Sequence, residues 1–117
     1  MKTTLAAIVL AAVAGYSAAG DPQQEMNRVF SDLTNLTLIG TAEREQRCSK
    51  SAEKDGCRSA FDQLITQTFD AESKFFQAAR AAAAGDYARR DALFSEMNQA
   101  LRDGRAELER LKSLHVP

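Results

Sequence analysis

The chain has 117 residues with 15 Lys and Arg, 16 Asp and Glu and one His, for a formal net charge of −1. This length fits one domain, and the interspersed charges, with no basic block, argue against a nucleic-acid surface and against a cationic membrane-active peptide. The two cysteines and single histidine are too few for an ordinary four-ligand zinc site.

The N-terminus reads as a cleavable export signal. Lys2 precedes the apolar stretch Leu5-Ala6-Ala7-Ile8-Val9-Leu10-Ala11-Ala12-Val13-Ala14, and small residues follow at Ser17, Ala18 and Ala19. Ser17 and Ala19 suit a cut before Gly20, and Ala18 with Gly20 suits a cut one residue later. The apolar run is nearer ten residues than the roughly 20 needed to span a bilayer, so no stable membrane anchor is expected after cleavage. The expected organisation is a signal peptide over 1–19 and one helical domain over 20–117. Losing Lys2 leaves 14 basic against 16 acidic residues, a net charge of −2.

The first helix should open at Asp21-Pro22-Gln23-Gln24. Asp21 can cap, Pro22 suits the first helical position and Gln24 can complete a capping box. Met26, Val29, Phe30, Leu33, Leu36, Ile39 and Ala42 then recur at steps of three and four, which marks one helical face. Thr37-Leu38-Ile39-Gly40-Thr41 joins β-branched residues to a glycine, so a break near Gly40 is the alternative, giving four helices instead of three.

Cys48 and Cys57 enclose the polar, turn-prone segment Ser49-Lys50-Ser51-Ala52-Glu53-Lys54-Asp55-Gly56. In an oxidising compartment such a pair reads as a disulfide, and eight intervening residues are unlike the two of common redox motifs. The second helix should run from about Cys57 to Ala84. Its seam is Phe61, Leu64, Ile65, Thr68, Phe75, Phe76, Ala79 and Ala83, with Phe69 nearby. These phenylalanines cannot all fit one narrow seam, which makes Phe69 and Phe76 candidates for a partner-binding surface.

Gly85 should end that helix and Asp86 should cap the third. In the third helix Phe94, Met97, Leu101, Gly104, Leu108, Leu111 and His115 form a heptad seam, widened by Leu93, Ala100 and Leu114. The pairs Glu107 with Lys112, Arg105 with Glu109 and Asp86 with Arg90 mark a solvated face. Rods of roughly 25–29 residues, each about 40 Å long, pack as an antiparallel up-down-up three-helix bundle closed by one disulfide. The expected class is therefore all-α.

Two local resemblances bear on function. Met26-Asn27-Arg28-Val29-Phe30-Ser31-Asp32-Leu33 and Ala84-Gly85-Asp86-Tyr87 resemble the soluble four-helix b-type cytochromes of the periplasm. That resemblance implies haem held between Met26 and His115. Yet Arg105 stands in the region where alignment from Gly85 would put the ligand, and an up-down-up bundle would set Met26 and His115 about 40 Å apart. Gly85-Asp86-Tyr87 also resembles the tight turn of tetratricopeptide helix pairs, in a single copy. The carboxylates Asp62, Asp70, Glu72, Asp91, Glu96, Asp103, Glu107 and Glu109 read as a solvated face. Asn35-Leu36-Thr37 matches a glycosylation sequon within a predicted helix.

No catalytic, metal or cofactor motif stands out, so the expectation is an exported, non-enzymatic protein of the secreted or periplasmic space. It would bind a protein partner as an accessory, inhibitor or immunity-type factor. The alternatives are a haem- or ligand-binding bundle and a chaperone-like stress protein.

Overall fold

The computed structural model describes residues 21–117; the expected signal peptide and both cleavage sites lie outside the described residues. Three helices account for the fold: α1 (Pro22–Cys48), α2 (Lys54–Ala83) and α3 (Tyr87–Leu114). Among the described residues there is no strand, and no helix is long and apolar enough to cross a membrane.

α1 starts where Asp21 caps it, with the Gln23 N–H donating to Asp21 Oδ1 at 3.1 Å and Pro22 at the first position. The helix runs unbroken through Gly40, so the four-helix alternative does not occur. Gly40 is buried, and tertiary contact holds the backbone where propensity alone would loosen it. The buried face is Met26, Val29, Leu33, Leu36, Gly40 and Cys48. Ile39 and Ala42 instead lie outside the core, because the face drifts along a straight helix of 3.6 residues per turn.

A Cys48–Cys57 disulfide joins the end of α1 to the first turn of α2, with Cα atoms 5.4 Å apart and both cysteines fully buried. α2 begins at Lys54, three residues earlier than expected. Asp55 in the first turn suits the positive end of the helix dipole, and Cys57 N–H already donates to Glu53 O at 3.0 Å. The buried positions of α2 are Cys57, Phe61, Leu64, Thr68, Ala71 and Ala78. The expected seam erred at its C-terminal half: Ala79 and Ala83 are exposed while Ala71 and Ala78 pack inside. Ala71 and Ala78 continue the step from Leu64 by sevens, and that narrow a/d stripe excludes the outer alanines.

The second turn is a Schellman motif. Gly85 has φ +80°, its N–H donates to Ala82 O at 3.0 Å, and Asp86 N–H donates to Ala81 O at 2.8 Å. The Asp86 side chain then accepts from Arg89 N–H at 3.0 Å and caps α3. Along α3 the buried face is Leu93, Met97, Leu101, Gly104, Leu108 and Leu111. Leu114, expected to widen this seam, is exposed in the last residue of the helix.

The main core gathers Val29, Leu33, Leu36, Phe61, Leu64, Met97, Leu101, Leu108 and Leu111 around the disulfide. A smaller cluster of Met26, Ala78 and Leu93 closes the end near Gly85, and Phe75 and Phe94 pack against both clusters. The bundle is tightest where α3 meets the hairpin. A Cβ placed on Gly104 would lie 2.7 Å from Leu36 Cδ2 and 3.2 Å from Thr68 Cγ2.

Candidate interaction surface

The register of the α1–α2 hairpin is fixed by four cross-helix contacts. Cys48 bonds Cys57, Arg44 pairs with Asp62, Thr34 meets Glu72 and Phe30 meets Phe76. These pairs place the outward-leaning residues of α1, Thr34, Leu38 and Thr41, beside those of α2, Ile65, Phe69, Glu72 and Phe76. Helical spacing of three and four puts each set on one stripe.

The stripe exposes large apolar side chains. Phe69 is 63% exposed, Leu38 62% and Phe76 54%. Phe76 is anchored as well as exposed. Its ring meets Phe30 edge-on at 5.6 Å and Phe75 edge-on at 5.4 Å, while Phe30 and Phe75 lie 4.5 Å apart. Edge-on rings at these distances are favourable contacts, so the outer ring is held by two inner ones.

Between the phenylalanines runs a polar ladder. Thr34 Oγ1 donates to Glu72 Oε1 at 3.0 Å and Thr37 Oγ1 donates to Glu72 Oε2 at 2.6 Å. Thr37 and Thr68 hydroxyls are 2.8 Å apart, and Thr68 is completely buried. Each hydroxyl also has a backbone acceptor within reach, Leu33 O at 3.0 Å from Thr37 and Ile65 O at 3.1 Å from Thr68, so each single proton is shared among its acceptors. Each Glu72 oxygen is thus met by a hydroxyl, yet among the described residues no lysine or arginine pairs with it.

The ladder was missed in the sequence, where Glu72 was grouped with the solvated carboxylates. Two signals were present. Threonines stand at 34, 37 and 41, a helical spacing, and residues 33–42 hold no charged side chain in a chain that is 26% charged. The same ladder engages Thr37 of the Asn35-Leu36-Thr37 sequon, whose central Leu36 is buried.

The other singled-out residues fall elsewhere. Met26 clusters with Ala78 and Leu93 near the Gly85 turn, whereas the His115 ring sits 6.3 Å from Phe61 at the disulfide end. The two therefore cannot ligate one haem. His115 is held in place at the helix end: its carbonyl accepts from Arg47 Nη1 at 3.0 Å, and so does that of Lys112 at 2.9 Å. Arg47 is in turn gripped by Glu43, so a cation from α1 caps the negative end of α3.

Surface ion pairs form with partners other than those expected. Glu107 takes Arg110, Lys112 takes Glu109, Arg90 takes Asp91, and Arg105 reaches across to Asp32 on α1. Shifts in pKa follow these pairs. The hydrogen bond from Arg110 lowers Glu107, and hydrogen bonds to Glu25, Asp62 and Glu107 raise Arg28, Arg44 and Arg110 respectively. All four groups are screened by solvent, and none lies beside Phe69 or Phe76 in a sheltered cleft of the kind that tunes a catalytic group.

Concave places on the surface are shallow grooves. One, between α2 and α3, is lined by Gln67, Asp70, Lys74, Glu96, Gln99, Ala100 and Asp103. Another, between α1 and α3, is lined by Asp32, Asn35, Leu36, Ile39, Arg105 and Leu108. Among the described residues no three His, Cys, Asp or Glu side chains converge to hold a metal ion. Comparison with known proteins finds no matching family model, curated protein or solved structure.

Proposed function

We propose that this is an exported, non-enzymatic protein that binds another protein through the α1–α2 face. The carrying observation is the exposure of Phe69, Phe76 and Leu38 on one stripe of a rigid hairpin. Other exposed apolar side chains, Ile39, Tyr87, Leu114 and Val116, lie elsewhere, whereas these three share one stripe that carries both exposed phenylalanines, and such grouping supports an interaction site. Aromatic residues on a fixed backbone lose little entropy on binding, which suits them to be contact anchors.

Location follows the same reasoning. The apolar leader with small residues at the cut and the buried disulfide both suit the secreted or periplasmic space, where disulfides persist. An accessory, inhibitor or immunity-type role in the cell envelope fits a small domain with an anchored apolar face.

The test is cross-linking capture from envelope extract with the mature wild-type chain and with the double variant Phe69→Ser, Phe76→Ser as baits. One partner, recovered in near-stoichiometric yield by wild type and lost with the variant, is the expected result. Equal recovery by both baits would refute the assignment of the face. Recovery of many unfolded clients, with suppression of a model client's aggregation, would favour the chaperone-like role instead.

A further inference from the structure

Resting on that reading of the face, we infer that its partner is an amphipathic helix carrying one basic residue, lysine or arginine, within its apolar seam. The occupant is set by charge. Phe69, Glu72 and Phe76 fall at steps of three and four on one stripe of α2, so Glu72 stands between two exposed rings. Both of its oxygens are fixed by threonine hydroxyls from α1, and no cation of the described chain pairs with it.

A covering apolar partner would take this carboxylate out of water. An uncompensated buried charge is costly, whereas a cation arriving with the partner recovers that cost as a charge-assisted hydrogen bond. The flanking rings favour the same choice, because a lysine or arginine stem packs on aromatic faces and gains cation–π attraction. An acidic residue at that point would be repelled, so Glu72 also rejects wrong partners.

The shape argues for a helix. The seam between two antiparallel helices is a surface along which the apolar ridge of a further helix can lie. The apolar stripe is bounded by charges: the Arg44–Asp62 pair near the disulfide and Arg80 one turn beyond Phe76. Between these limits α1 contributes only uncharged residues to the stripe, so Glu72 is the charge that decides complementarity there.

A displayed library of amphipathic helical peptides, randomised along one face, tests this with the mature chain as target. Selected binders are expected to lose affinity on the Phe69→Ser, Phe76→Ser variant and to be enriched in lysine or arginine at one central seam position. Replacing that residue by norleucine, which keeps the stem and removes the charge, should weaken binding to wild type about tenfold. On Glu72→Gln, its fold checked first by thermal melting, the basic and norleucine peptides should bind alike. Binders that need the phenylalanines yet show no basic preference overturn this inference and leave the face intact. A selection yielding no binder that depends on Phe69 and Phe76 overturns both. The norleucine comparison is made on wild type alone, so it decides the charge requirement even if Glu72→Gln misfolds.

Discussion

The two buried helical glycines should respond to alanine with opposite signs. At Gly104 the new Cβ would stand 2.7 Å from Leu36 Cδ2 and 3.2 Å from Thr68 Cγ2. Carbon pairs prefer roughly 3.5–4.0 Å, so Leu36 must retreat by about 1 Å and Thr68 by a few tenths. Thr68 is stiff at its branched Cβ and tied to Thr37, and Leu36 is only 5% exposed. Off-rotamer strain and lost packing together cost about 2–3 kcal/mol, against about 1 kcal/mol regained from helix propensity. Gly104→Ala should therefore lose about 1–2 kcal/mol. At Gly40 the nearest atoms would be Ile65 Cγ1 at 3.5 Å and Leu64 Cδ2 at 3.6 Å, which is ordinary contact. Propensity then dominates, and Gly40→Ala should gain about 0.5–1 kcal/mol. Urea unfolding of the oxidised mature chain, followed by far-ultraviolet circular dichroism, measures both. At about 4–8 °C per kcal/mol the melting temperatures should move apart by roughly 6 °C or more. A Gly104→Ala protein as stable as wild type, or a destabilised Gly40→Ala, would refute the packing argument.

Four other outcomes follow from the same contacts. Replacing both cysteines by serine should cost about 2–3 kcal/mol by freeing a short loop in the unfolded chain, read as a lower melting temperature matched by reduction of the wild type. Arg47→Met should cost about 1–3 kcal/mol and speed amide exchange in the last turn of α3, because two carbonyls lose a charged donor. Phe69→Ser should change stability by no more than about 0.5 kcal/mol, whereas Phe76→Ser should cost about 0.5–1.5 kcal/mol through lost edge-on contacts, both by thermal melting. The Glu107 carboxyl, followed by NMR, should titrate below its ordinary range and return towards it in Arg110→Met. Since its folded pKa lies below the unfolded one, its stabilising contribution holds above the unfolded value and is lost as pH falls through the folded one.

Helix number and polarity were legible because apolar spacing, Gly85 and the cysteine pair are local signals. What failed was angular: Ile39, Ala42, Ala79, Ala83 and Leu114 were placed inside, whereas Ala71 and Ala78 were missed. A straight helix drifts against any fixed repeat, so errors gather at the ends of long seams. Gly40 misled in the other direction, since the contact that holds it comes from α2, far away in sequence. Phe69 and Phe76 were reachable by counting, because one α2 carries more aromatic volume than its inner stripe can hold. Glu72 was not. Its environment depends on which α1 residues lie opposite, and that register is set by the disulfide and the Arg44–Asp62 pair.

Both ends of the hairpin are fastened by different chemistry, and this bears on the binding proposed for its face. At one end the disulfide joins α1 to α2, and Arg47, one residue before Cys48, also secures the end of α3. At the other, the Schellman turn and the Phe30–Phe75–Phe76 cluster close the bundle. The polar ladder of Thr34, Thr37, Thr68 and Glu72 lies between them, where a hydrophobic seam would have tolerated sliding. A ladder of directed hydrogen bonds loses its partners on a shift of one turn, so it fixes register where apolar contact alone would not. If the face binds a partner as proposed, binding would begin from rings and a carboxylate already in position, with the ordering cost that weakens small interfaces met during folding. Reduction of the wild type should accordingly weaken partner binding more than any loss of folded population explains, measured by titration at a temperature where the reduced chain remains helical. Identical affinities for the oxidised and reduced folded chains would show that the clamp serves stability alone.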